Sequence, residues 1–165
     1  MKNKVKKLRE IFNRISFKNN KKNICPSLLE LSLQEVIGMN KKEIERFNLK
    51  NNEKQIHNIR DIDGLKSCLG GIFMRDISGY YYHLPIEKMA GLLLYRISQG
   101  QYFTDGNKRT SVLCMIFFLY NNGYNIKIDN DKIEALLWGF ASKKNTDKDS
   151  IQYVEDNLYP KKITP

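Results

Sequence analysis

The sequence predicts a mostly α protein, a helical bundle around one central buried helix, with a small β-hairpin flap. Three observations predict it. Apolar residues recur at three- and four-residue intervals through most of the chain. One stretch, 112–120, is apolar nearly all round, as expected of a helix enclosed by others. A strand-like signal is confined to the tyrosine-rich stretch around Ser78-Gly79 and to the short run Ile126–Ile128.

With 165 residues and 41% hydrophobic content the chain suits one domain with some decoration. The longest apolar run is about half of what a membrane span needs, and the mean hydropathy of −0.52 is that of a soluble protein. No apolar segment follows the N-terminal lysines, so no secretory signal is expected. Three widely spaced cysteines (Cys25, Cys68, Cys114) with no CxxC pair and only two histidines give no metal-site pattern. A reduced, cytoplasmic setting is the expectation.

The net charge of +10 is uneven. Residues 1–22 hold nine Lys/Arg and one acid, Glu10. The remainder holds 19 cations and 17 acids. Val5, Leu8, Phe12 and Ile15 give this arm the spacing of an amphipathic helix with a cationic outer face. A solvated helix packed on the domain fits that pattern. So does a site for nucleic acid, for a membrane surface or for an acidic partner.

Taken in order, Pro26-Ser27 opens a helical segment through Leu28, Leu31 and Val36 that Gly38 is expected to end. A short charged helix follows over 41–49, and 48–58 reads as loop. Asp61 to Gly64 is a turn or cap. Leu65, Cys68 and Leu69 form a short helix that Gly70-Gly71 stops. The hairpin falls at Ile72–Tyr82. Leu84-Pro85 starts the strongest helix, with Ile86, Met89, Ala90, Leu93 and Ile97 on one face and Gly100 at its end. A second helix begins near Asn107 and ends at Asn121-Asn122-Gly123. Asp131 is expected to cap a helix carrying Ile133, Leu136, Leu137 and Phe140. Ser150 is expected to cap a last one carrying Ile151, Val154 and Leu158.

Between the two strongest helices lies the polar loop Gln101-Tyr102-Phe103-Thr104-Asp105-Gly106-Asn107-Lys108-Arg109-Thr110. The start of the helix at Asn107 presents unpaired backbone N–H groups and a partial positive charge. Gly106 permits close backbone approach. Lys108 and Arg109 add two full charges, so the stretch reads as a phosphate cradle, without the spacing of a Walker A loop. Asp105 is its one carboxylate. Beside a bound polyphosphate it suits Mg²⁺, which prefers one or two carboxylates plus phosphate oxygens.

Phe103-x-Asp105-Gly106-Asn107-Lys108-Arg109-Thr110 resembles the Fic/Doc (Fido) signature H-x-F-x-D/N-A/G-N-K/G-R. The order of helices over 56–158 is also similar. The resemblance implies residues 1–50 as a basic N-terminal helical extension and 51–160 as the Fic/Doc domain. It implies transfer of AMP or of a phosphate from a nucleoside triphosphate, ATP being the usual one, to a protein hydroxyl. In that role Asp105 holds Mg²⁺, and Gly106, Asn107, Lys108, Arg109 and Thr110 line the nucleotide's phosphates. The flap at Ile72–Tyr82 docks the protein substrate by strand addition. The implied setting is a bacterial toxin–antitoxin module or an effector.

Two departures bear on the activity. Lys108 stands where the AMP-transferring pattern has glycine, and Val112 where it has a second arginine; the NKRT form is similar to Doc. Gln101 occupies the catalytic histidine position. Glutamine cannot act as a general base, whose loss costs on the order of 10²–10⁴ in rate, although it can orient a hydroxyl by hydrogen bonding. Three readings stay open from sequence: a weakened transferase, a pseudoenzyme that binds nucleotide or a partner, and a nucleic-acid-binding protein using residues 1–22. The inhibitory pattern [S/T]-x-x-x-E-[G/N] is absent, which for a toxin implies a separate antitoxin.

Overall fold

The computed structural model describes residues 28–74 and 84–161. The expected helix over Val5–Ile15 lies outside those residues, as does nearly all of the expected flap; its first residue, Ile72, is the last of a helix.

Six helices and one two-stranded sheet make up the described fold. They are α1 (Leu33–Asn51), α2 (Ile62–Ile72), α3 (Ile86–Gln99), α4 (Asn107–Asn121), β1 (Tyr124–Ile126), α5 (Asn130–Ala141), α6 (Asp147–Asn157) and β2 (Leu158–Pro160). The mostly α architecture is as the sequence predicts. The sheet is not the flap: β1 pairs antiparallel with β2, Asn125 opposite Tyr159, tying the chain's end to the C-terminus of α4.

The centre is α3 against α4, with α6 on the other side of α3. Leu93, Leu94 and Ile97 of α3 meet Cys114, Met115, Phe118 and Leu119 of α4, all fully buried. Phe73 and Phe118 stack obliquely at 5.4 Å, and Tyr95 meets Phe140 edge-on at 5.0 Å. Gly91 lets α6 close on α3: a Cβ there would lie 2.7 Å from Ile151 Cα. Ser150 Oγ donates to the Gly91 carbonyl at 2.7 Å across the same contact.

Several boundaries differ from the sequence-based expectation, each for a local reason. Gly38 does not end a helix. α1 runs unbroken through it from a Ser32–Glu35 capping box to Asn52, which takes the left-handed conformation that stops the helix. The two expected segments over 26–38 and 41–49 are therefore one element from Leu33 onward. Its Val36, Asn40, Glu43 and Ile44 are buried, and the helix packs on α4 and α2. The Gly70-Gly71 pair sits inside the last turn of α2. Asp129, not Asp131, caps α5, its carboxylate accepting from the Lys132 N–H. Thr146, not Ser150, caps α6 in a box with Asp149, and Ser150 is used inside the helix instead. The two hydrogen bonds from Thr146 lower the Asp149 carboxyl below its usual range.

Candidate active site

The loop 100–106 crosses from α3 to α4 and is pinned from both sides. Gly100 ends α3, and Gln101 follows at φ 48°, the left-handed residue that turns the chain. The Tyr102 ring lies where a Cβ on Gly100 would be, 2.1 Å away, so a side chain there would displace the ring. The Tyr102 carbonyl accepts from the Arg60 and Asp61 N–H groups, Phe103 pairs with Ile59 in an antiparallel bridge, and the Thr104 N–H donates to the Asn58 carbonyl. The Phe103 side chain is fully buried and anchors the loop in the core. Burial and a hydrogen bond with Cys68 raise the Tyr102 phenol well above its ordinary range.

Asn107, expected at the phosphates, is used differently by its side chain. Its Oδ1 accepts from the Phe103 N–H at 3.0 Å and its Nδ2 donates to the Phe103 carbonyl at 2.7 Å. The amide therefore shapes the loop. Gly106 is the N-cap of α4 at φ 80°, and no side chain caps that end. A Cβ on Gly106 would lie 2.9 Å from Ile44 Cδ1 and 3.1 Å from Asn40 Nδ2. Thr110 is buried, so its hydroxyl supports the loop from beneath.

The two cations go opposite ways. Arg109 turns toward α1. It donates to Gln55 Oε1, lies 3.9 Å from Glu43 Oε1, and stacks on Phe47 with its guanidinium carbon 3.7 Å from the ring centre. Glu43 is only 4% exposed, and Arg46 binds its two oxygens at 3.0 and 2.8 Å. Lys108 turns toward α5, with Nζ 3.5 Å from the centre of the Trp138 ring, an indole that is 62% exposed. Glu134 accepts weakly from the indole N–H.

Asp105 sits between them. Its Oδ2 accepts from the Ile56 N–H at 3.0 Å and its carbonyl accepts from Asn40 Nδ2 at 2.9 Å. Among the described residues no cluster of three or more His, Cys, Asp or Glu forms a protein-only metal cage. A single carboxylate at an uncapped helix N-terminus fits a hard cation that arrives with phosphate oxygens, as Mg²⁺ does.

Gln101, Asp105, Gly106, Lys108 and Arg109 lie on one loop and helix end, with Thr110 buried beneath it. Missed by the sequence reading were Asn40, Glu43 and Phe47, one face of α1, together with Gln55, Ile56, His57 and Trp138. The usable signal was the spacing of Asn40, Glu43 and Phe47, which puts polar groups on the same side of a helix as Val36 and Ile44.

A central helix that begins at an uncapped glycine, with a carboxylate before it and two cations after it, gathers N–H groups and positive charge at one point of the domain. Residues 30–119 match the sequence model of the Fic/DOC family, and the chain belongs to that family. No curated protein matches the chain. No helix among the described residues is long and apolar enough to cross a membrane.

Proposed function

We propose that this domain binds a nucleoside triphosphate, ATP in the first instance, with Mg²⁺ at the N-terminus of α4. We propose further that it descends from enzymes that transfer AMP or phosphate to a protein hydroxyl. The observation that carries this reading is the uncapped start of α4 at Gly106, with Asp105 before it and Lys108 and Arg109 after it. Asp105 would hold the metal, which when bound offsets phosphate charge and orients the phosphate chain. The N–H groups of Asn107 and Lys108 and the side chains of Lys108 and Arg109 bind phosphate oxygens. Thr110 and the Asn107 amide hold the backbone that makes this possible. The protein substrate docks along Ile72–Tyr82, and inhibition by a separate antitoxin follows if the protein acts as a toxin.

Gln101 is exposed at the loop's entrance, where it can orient a hydroxyl but cannot take its proton. This favours a second reading, a nucleotide-binding protein with little or no turnover. One paired assay separates the two. The protein and Gln101→His are each incubated with α- or γ-labelled ATP, Mg²⁺ and lysate. The left-handed backbone at 101 is one that histidine adopts more readily than most residues. Labelling by the histidine form alone, on the order of 10²-fold or more above the native chain, supports a transferase frame silenced at 101. The labelled position reports AMP against phosphate. Absence of labelling by both, together with absence of Mg²⁺-dependent ATP binding, removes the proposal. A contribution of residues 1–22 to nucleic-acid binding predicts salt-sensitive binding that disappears on their deletion.

A further inference from the structure

Beneath the loop lies a buried amide outside the phosphate motif. Asn40 of α1 has no exposed surface, and each of its polar atoms is used. Nδ2 donates to the Asp105 carbonyl at 2.9 Å and to Thr110 Oγ1 at 3.0 Å. Oδ1 lies 2.6 Å from His57 Nδ1. The orientation of the amide is fixed by chemistry. A carbonyl oxygen can only accept, so the atom facing Asp105 O is the NH₂, and the atom facing His57 is the oxygen. His57 Nδ1 therefore carries a hydrogen.

The placement has a purpose that general packing does not supply. Asn40 fastens both ends of the turn into α4: the carbonyl of Asp105 before Gly106, and the side chain of Thr110 one helical turn later. Gly106 must be left-handed between them, and its missing Cβ is what lets Nδ2 come close. On the far side, Asp105 Oδ2 is held by the Ile56 N–H, one residue before His57. The Asp105 backbone and carboxylate are thus set by two neighbouring pieces, Asn40 and the Ile56–His57 segment, which the Asn40–His57 bond locks together.

We propose that Asn40, with His57 fixing its orientation, is the positioning residue for Asp105: it aims the carboxylate at the mouth of the cradle. This rests on the reading of Asp105 as the group that faces Mg²⁺. Partners of this kind behind a metal ligand are worth roughly 10–100-fold in metal affinity. Asn40→Asp keeps the size of the side chain but turns the donor facing the Asp105 carbonyl into an acceptor. Asn40→Ala removes the donor without adding charge. Gly38→Ala, on the same helix with open space around its Cβ, is the control.

The experiment reads three quantities. The first is amide exchange at Ile56, whose N–H reports where the Asp105 carboxylate lies. It should rise roughly tenfold or more in the Asn40 variants, while exchange at the core amides of Leu93 and Met115 stays unchanged. Unchanged Ile56 exchange, or a uniform rise at all three, overturns the proposal. The second is the gain in ATP affinity on adding Mg²⁺. It should fall roughly 10–100-fold in both variants, with the Mg²⁺-free affinity kept; equal loss with and without metal indicates general damage and overturns it. If the native protein shows no such gain, the nucleotide reading fails, and the positioning claim is then decided by Ile56 exchange alone. The third needs no variant: ¹⁵N spectra of the native protein should show a hydrogen on His57 Nδ1. The opposite tautomer breaks the lock and overturns the proposal even if both Asn40 variants fail to fold.

Discussion

Lys108 and Arg109 are adjacent in sequence and carry the same charge, yet the fold treats them as different devices. Arg109 is drawn inward against a buried carboxylate, an amide oxygen and an aromatic face, and is only 28% exposed. Lys108 rests on the outer face of an indole that is itself mostly in water. The guanidinium fork suits the first position, where several fixed acceptors surround it; the flexible ammonium suits the second. Arg109 is therefore part of the wall between α1 and α4. Lys108 is the cation that can leave its contact without disturbing the fold. Arg46 completes the contrast: it binds both oxygens of Glu43, so that buried acid has a counter-ion besides Arg109.

Replacing each cation should separate these roles most sharply. Arg109→Ala removes hydrogen bonding to charge and a stacked guanidinium, and should cost about 2 kcal/mol in chemical denaturation as well as weakening ATP binding. Lys108→Ala should weaken ATP binding roughly tenfold while leaving the denaturation midpoint almost unmoved. Equal stability loss in the two variants would erase the distinction.

The frame of this division was legible in sequence, but its direction was not. Uncapped Gly106, the carboxylate before it and the cations after it are contiguous, so helix-end chemistry alone located them. The helix α4 was legible because Val112 to Tyr120 is apolar, but only one face of it is enclosed: Cys114, Met115, Phe118 and Leu119 are buried, while Phe117 and Tyr120 are exposed. The partners on α1 lie more than 50 residues away from the loop, and nothing local in Asn40 or Glu43 shows which side chain they meet. Gly38 misled for a related reason. Glycine often ends a helix, but here it costs only propensity, and the Ser32–Glu35 box and Asn52 set the ends. The clamp that the Asn107 amide makes on Phe103 was not legible, because an amide at a helix start suits several partners and only the loop's path decides among them. The caps at Asp129 and Thr146 were each displaced to a neighbouring polar residue, since runs such as Asp129-Asn130-Asp131 offer several candidates to the same N–H groups.

The α1 side of the comparison can be strengthened without touching a contact. A Cβ at Gly38 meets nothing within 4 Å. Gly38→Ala should therefore stabilise the protein by about 0.5–1 kcal/mol, since it removes unfolded-state freedom and improves helix propensity. Thermal and urea unfolding check it. ATP binding should stay the same, because the face bearing Asn40 and Glu43 is unaltered. A loss of stability would mean that the turn through Gly38 is not ordinary helix.

The smallest effect belongs to the α5 side. Trp138→Leu removes the ring beneath Lys108, a contact worth about 0.5–1 kcal/mol at an exposed position. Much of that returns as the ammonium is freed to water, so the unfolding midpoint should shift by little. The consequence should appear at the ligand site instead. Trp138 is the chain's one tryptophan, so its fluorescence reports on this contact alone. ATP that draws Lys108 away from the ring should change that emission in the native protein, and Lys108→Met should abolish the change while ATP still binds through Arg109 and the α4 N-terminus. If emission responds equally in Lys108→Met, the indole is sensing the ligand directly, and Lys108 is not the mobile member of the pair. If ATP binds and emission does not respond in the native protein, Lys108 stays on the ring when the cradle fills, and both cations are fixtures of the wall.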